Sequence, residues 1–140
     1  MKLRNRVISL VFVAVFAFAM IVPVFAAENV ATPYYNNTSV TQEVFDIDNS
    51  GKATVSFTCR GYRGITTRIE VTTKIQKQVG SSWVDVAGAS WTDSSTLYYC
   101  IKEHSVQLTS GGTYKATFTF TVSGSGGATD VIVREIEKSY

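Results

Sequence analysis

Leu108 to Val122 reads LTSGGTYKATFTFTV, and its alternation decides the fold. From Tyr114 onward the even positions Tyr114, Ala116, Phe118, Phe120 and Val122 are apolar, while Lys115, Thr117, Thr119 and Thr121 are polar. Period two puts one set on a buried face and the other on a wet face, which defines a half-buried β-strand. Ahead of it, Gly111 and Gly112 supply the backbone freedom of a tight turn, and Leu108 caps the arriving strand.

Working outward, the same signals recur in both directions. Upstream, Val40 to Ile47 is a first strand, and Asp48-Asn49-Ser50-Gly51 turns it into Lys52 to Cys59, which alternates strictly with Ala53, Val55, Phe57 and Cys59 on one face. Ile65 to Val79 is a third strand, long enough to predict a bend or bulge near Thr72-Thr73. Gly80-Ser81-Ser82 leads to a fourth, Trp83 to Ala87, and then to a loose passage from Gly88 to Ser95. In the fifth, Thr96 to Leu108, Lys102 and His104 interrupt the face shared by Tyr98, Cys100 and Val106, which predicts a bulge or two short strands there. Downstream, SGSGG at Ser123 to Gly127 is a flexible turn, and Val131 to Ile136 a seventh strand pairing back on the sixth. Seven short β segments with no helical period describe an all-β domain, either a sandwich of two antiparallel sheets or a small barrel.

The spacing Leu108, Ser110, Gly111, Tyr114 resembles the Leu-x-Pro-Gly-x-x-Tyr corner of fibronectin type III domains and related sandwiches, with Ser110 in place of the proline. This resemblance favours the sandwich. It implies an immunoglobulin-like (fibronectin type III-like) antiparallel β-sandwich of about seven strands, in which Tyr114 bonds back to nearby backbone.

Lys2, Arg4 and Arg6 precede an apolar run from Val7 to Val22, broken by Pro23 and followed by small residues, the pattern of a secretory signal peptide. Cleavage after Ala26 divides the chain into a signal peptide (1–26), an extended N-terminal arm (27–39) and a single domain (40–140), and predicts a freely secreted product. Three of the 13 basic residues and none of the 11 acidic ones lie in that signal, so its removal leaves ten against eleven, a net charge of −1. The sequence pI near 8.6 therefore belongs to the precursor and is no argument for nucleic acid or a membrane surface as partner. Residues 27–140 suffice for one domain that buries roughly two thirds of its unfolded surface.

Cys59 and Cys100 are the only cysteines, and in an exported chain they predict a disulfide. In an immunoglobulin-like order the second and fifth strands are antiparallel neighbours, with the end of one beside the start of the other, where these two residues stand. No CxxC spacing or ligand cluster marks a metal or redox site.

Candidate chemistry is sparse. Asp46 to Gly51 echoes the front half of a calcium loop but reads as a hairpin turn, because its twelfth position is Phe57 and strands flank it. His104 is the single histidine, no Gly-x-Ser-x-Gly elbow accompanies it, and no catalytic residue, metal or cofactor is assigned. Threonine rows at Thr117, Thr119 and Thr121 read as an ordinary wet strand face. Asn36 and Asn37 each begin an Asn-x-Ser/Thr tripeptide. The aromatic residues Tyr34, Tyr35, Tyr62, Trp83, Trp91, Tyr98 and Tyr99 fall near loops and edges, and Tyr62, Trp91 and Tyr98 are the candidate ligand-binding positions.

The stretches ATPYYNNTS, TTKIQKQVGSSWVDV, WTDSS and GGTYKATFTFTVSGSGG resemble an uncharacterised family of short secreted proteins from Gram-positive bacteria. The resemblance implies export and brings no activity with it. Two expectations follow: a non-enzymatic binding module for an extracellular glycan or protein, or a homo-oligomer that self-associates through an edge strand such as Val131 to Ile136.

Overall fold

The structure, a computed structural model, describes residues 34–140; the predicted signal peptide and the first part of the predicted arm lie outside the described residues. Seven strands follow in order: β1 (Thr38–Ile47), β2 (Lys52–Gly61), β3 (Thr66–Val79), β4 (Ser82–Ser95), β5 (Tyr99–Gln107), β6 (Thr113–Gly124) and β7 (Asp130–Ser139). They form a three-stranded sheet ordered β1-β2-β5 and a four-stranded sheet ordered β4-β3-β6-β7, with every pairing antiparallel. The strand built on the opening stretch, β6, is central in the larger sheet.

Alternation along β2, β3 and β6 supplies the core. Ala53, Val55, Phe57 and Cys59 of β2 face Ile69, Val71 and Ile75 of β3 and Tyr114, Ala116, Phe118, Phe120 and Val122 of β6, all buried. Phe57 meets Phe120 edge to face across the two sheets, ring centroids 5.9 Å apart. This is the β-sandwich arrangement: each inner face is removed from water by the other.

The sheets' edges lie against each other in pairs, β1 beside β7 and β4 beside β5. Each edge strand turns polar groups inward: Glu43 on β1, Asp93 on β4, Lys102 and His104 on β5, Arg134 and Lys138 on β7. Inward-pointing charge is a device that discourages edge-to-edge pairing with other chains.

Several boundaries differ from expectation. β5 pairs with β2 in unbroken register from Lys52–Gln107 to Arg60–Tyr99, without the bulge predicted at Lys102 to His104. Lys102 and His104 face inward because an edge strand's inner face borders the seam between the sheets. β3 keeps its register with both neighbours through Thr72-Thr73, so no bulge falls there. Instead Ile75 faces the four residues Val86 to Ala89, an irregularity carried by β4, where Gly88 takes a positive φ of 72°. The stretch predicted as a short strand and a loose passage is thus one interrupted strand, and the interruption reverses its parity: Val86 faces the core before it, and Ala89, Trp91 and Asp93 after it.

The arm is also different. β1 begins at Thr38, and Asn36 to Thr38 are tied into the domain through Asp130 at the start of β7. Asp130 accepts hydrogen bonds from the Asn36 amide (2.9 Å), the Asn37 amide (2.7 Å) and the Thr38 hydroxyl (2.9 Å). Asn37 is fully buried, its side chain donating to the Ala128 carbonyl (2.8 Å) and accepting from the Gly126 amide (3.1 Å). An amide so enclosed is not available as a glycan acceptor in the folded chain, whatever its Asn-x-Ser/Thr tripeptide suggests.

Candidate functional site

The site grows from the tight turn after β2. Gly61 packs so closely on Thr66 that an added Cβ would lie 2.0 Å from its hydroxyl oxygen, so glycine is required there by space. The Tyr62 amide donates to the Thr66 hydroxyl (2.9 Å), and that hydroxyl donates to the Asn37 carbonyl. Ile65 and Thr66 amides both donate to the Tyr62 carbonyl, and Gly64 adopts φ 81°, closing the turn. On the other side, the Gly61 amide donates to the Tyr98 carbonyl (2.8 Å), fixing the entry to β5 beside this turn.

That scaffold gathers two arginines and three tyrosines. The Arg63 guanidinium stands over the Tyr98 ring at 5.3 Å, a cation–π contact. Tyr98 in turn meets Tyr99 edge to face at 5.3 Å. Arg60 is the cross-strand neighbour of Tyr99 on the outer face of the three-stranded sheet. Arg60, Tyr98, Tyr99 and Ile101 line an open depression of about 260 Å³. Tyr99 is 42% exposed, Ile101 54% and Tyr62 38%. Neither Arg60 nor Arg63 forms an ion pair with a carboxylate among the described residues.

Ile101 also borders a second depression of about 440 Å³ farther along the same face, lined by Gln42, Val44, Ser56, Thr58 and Glu103. The rows Val40–Arg60–Tyr99, Gln42–Thr58–Ile101 and Val44–Ser56–Glu103 run across the three strands. Small hydroxyl residues on β2 between larger side chains on β1 and β5 make the face a shallow trough.

The predicted aromatic positions separate. Tyr98 belongs to this cluster, and Tyr62 is exposed in the adjoining turn. Trp91 does not belong to it: it sits inside β4, half-buried against the core, with its ring stacked on His104 (centroids 4.9 Å apart, planes within 5°). His104 Nε2 lies 2.6 Å from Asp93 Oδ2, so histidine, carboxylate and indole together close the seam between β4 and β5. Arg60, Arg63 and Ile101 escaped sequence reading, although the parity opposite to Cys59 and Cys100 marks Arg60, Tyr99 and Ile101 as outward-facing.

The other predicted residues lie elsewhere. Cys59 and Cys100 are direct cross-strand partners on the core face of β2 and β5, both buried and both free thiols. Burial, with the neighbouring Cys100 and Glu43, pushes the Cys59 thiol up to about 12. At the far end of the sandwich Leu108 and Tyr114 are buried, and the Tyr114 hydroxyl donates to the Ser110 carbonyl. Gly111 lies against the Tyr140 carbonyl, where an added Cβ would sit 2.9 Å away. No cluster of three or more His, Cys, Asp or Glu suited to a metal occurs among the described residues, and they contain no helix long and apolar enough to cross a membrane.

No protein-family model matches the chain, and no curated protein matches it. Among solved structures it is similar to a protein from Archaeoglobus fulgidus, 8% identical, covering 74% of this chain and 97% of that one at a TM-score of 0.32. A likeness that distant carries no argument.

Proposed function

We propose that the chain is a secreted, non-enzymatic binding module that recognises a cell-envelope glycan through the outer face of its three-stranded sheet. The observation that carries this reading is the exposed Tyr99 and Ile101, set beside Tyr98 and opening onto a trough of hydroxyl and amide side chains. Aromatic and aliphatic surface accepts the C–H faces of sugar rings, and Gln42, Ser56 and Thr58 offer hydrogen bonds to their hydroxyls. His104 is engaged by Asp93 and Trp91, which gives it a structural task.

Export follows from the signal-like N-terminus, and with it the oxidation of Cys59 and Cys100. Cross-strand partners stand roughly 4.5–5.5 Å apart at Cα, inside the span of about 4.4–6.8 Å that a disulfide bridges.

Capture of envelope fractions by the folded protein, and a glycan array, test the function. Retention should weaken with Tyr99→Ala or Ile101→Ser and survive Trp91→Phe. A blank array together with no envelope retention removes the proposal.

A second reading, self-association through β7, draws on Val131 and Val133, exposed by 63% and 51% on that edge strand. Arg134 and Lys138 on its inner face work against strand addition, so this reading ranks below the first. Light scattering at high concentration separates them: a strict monomer removes self-association.

A further inference from the structure

Resting on the glycan reading above, we infer that the ligand is an acidic oligosaccharide, with a carboxylate, phosphate or sulfate group held at the tyrosine end of the trough by Arg60, which lines the depression, and by Arg63, which stands over the adjoining Tyr98 ring. Both guanidiniums are exposed, and neither is paired with a carboxylate among the described residues. Guanidinium forks match such oxyanions with two parallel hydrogen bonds, and the charge-assisted pair is roughly twice as strong as a neutral one. Arg63 is already positioned by its contact with Tyr98, so part of the ordering cost of binding is met in the free protein.

The charges around the site agree. Glu103 is the acidic residue on this face of β5, and it lies four residues along the strand from Tyr99, about 13 Å away. That exceeds the roughly 8–10 Å over which exposed charges interact at ordinary ionic strength. The tyrosine end is therefore locally cationic even though the secreted chain is nearly neutral overall.

The shape selects a saccharide over an acidic peptide. The depression at Arg60, Tyr98, Tyr99 and Ile101 is open and holds about 260 Å³, less than the roughly 300–1,000 Å³ of sites that engulf a drug-sized ligand. Its continuation past Ile101 is floored by Ser56 and Thr58 and flanked by Gln42. Peptide docking draws on deep apolar anchor pockets or a free strand edge. This trough offers the middle of a sheet face, with hydroxyl and amide groups spaced along it. One ring stacked at Tyr99, with its acidic substituent at the arginines, sets the following rings over Thr58 and Ser56.

The test is an NMR titration of the purified protein with tetragalacturonate, a phosphorylated maltotetraose, neutral maltotetraose and a tetraglutamate peptide. The expected result is that an acidic oligosaccharide shifts the amides of Thr58, Arg60, Tyr99 and Ile101, that added salt weakens it, and that Arg60→Gln with Arg63→Gln lowers its affinity at least about tenfold. The carboxylated and phosphorylated arms show which oxyanion is preferred. Equal binding of neutral maltotetraose, unaffected by the arginine substitutions, overturns the acidic assignment while leaving glycan binding intact. Tetraglutamate binding as tightly as the sugars overturns the saccharide assignment. Silence of this face toward every probe overturns the inference, and envelope retention sensitive to Tyr99→Ala would then still support the broader function.

Discussion

Asp93 Oδ2 lies 2.6 Å from His104 Nε2, joining the edge strands of two different sheets, and the Trp91 ring covers the imidazole from one side. Both side chains are mostly buried, so the contact is shielded from the solvent that weakens surface pairs. His104→Ala should cost about 2–4 kcal/mol, the worth of a hydrogen bond to a charged partner plus an aromatic stack. Its local signature is Trp91 fluorescence, best read in a Trp83→Phe background because Trp83 lies on the outer face under Lys115. A red-shifted emission on His104→Ala or Asp93→Asn reports an opened seam; unchanged emission and stability in both variants would show that the contact holds nothing together.

Acid should loosen the opposite seam through Asp130. Burial pushes this carboxyl up, but hydrogen bonds from the Asn37, Asn36 and Thr38 donors outweigh it and hold its pKa below the ordinary value of 3.8. A depressed carboxylate contributes stability that is complete above its unfolded pKa and is lost as pH falls through the lower, folded one. The contribution should therefore persist through neutral pH and disappear only below about pH 4. Asp130→Asn should cost about 2 kcal/mol at neutral pH and flatten the acid limb of a denaturation series. An acid limb identical to that of the unsubstituted protein would refute the assignment.

These two seams also explain what sequence could and could not show. The inner face of β6 was readable because a central strand is flanked by paired neighbours, so its alternation reports burial directly. Lys102 and His104 misled because an edge strand's inner face meets a polar seam, and alternation then no longer separates core from solvent. Trp91 was placed in a loop because the irregularity at Val86 to Ala89 breaks the period within β4. The network of Asn37 and Asp130 spans 93 residues in sequence and carries no apolar signal, so nothing local announces it. The arginine and tyrosine cluster is half legible: its tyrosines stand out as aromatics, whereas Arg60 acquires meaning only from its register opposite Tyr99 and the depression the two share.

The cluster's geometry depends on Gly61. Its φ is ordinary, so Gly61→Ala tests space alone: the new methyl would overlap the Thr66 hydroxyl, which holds both the Tyr62 amide and the Asn37 carbonyl. A cost of about 1–3 kcal/mol is expected, as for overpacking elsewhere. Chemical-shift changes should spread through Tyr62, Arg63 and Tyr98, and ligand binding should fall with them. Gly64→Ala separates strain from crowding, because no atom lies within 4 Å of its added Cβ while its φ of 81° disfavours any side chain. If Gly61→Ala leaves the shifts of Arg63 and Tyr98 in place, the turn is not what positions them.

Cys59 and Cys100 face each other in register, and their oxidation state should govern stability more than any single contact. A bridge between them closes a loop of about 41 residues and is worth roughly 4 kcal/mol in the chain-entropy account, less any strain. Intact mass of the exported protein should show two hydrogens fewer than the dithiol. The reduced protein has its own signature. With the buried Cys59 thiol pushed up to about 12 against an ordinary 9.0, the unfolded chain ionises first as pH rises. Stability of the reduced form should therefore decline above about pH 9, because the unfolded state binds fewer protons than the folded one there. The oxidised form has no thiol to titrate and should lack that part of the decline. Alkylation of the reduced protein should be slow while it is folded and fast in denaturant, since the thiolate is the reactive species. Rapid labelling of both cysteines in the folded protein would contradict their burial, whereas an exported product carrying two free thiols would show that they serve only as buried apolar packing.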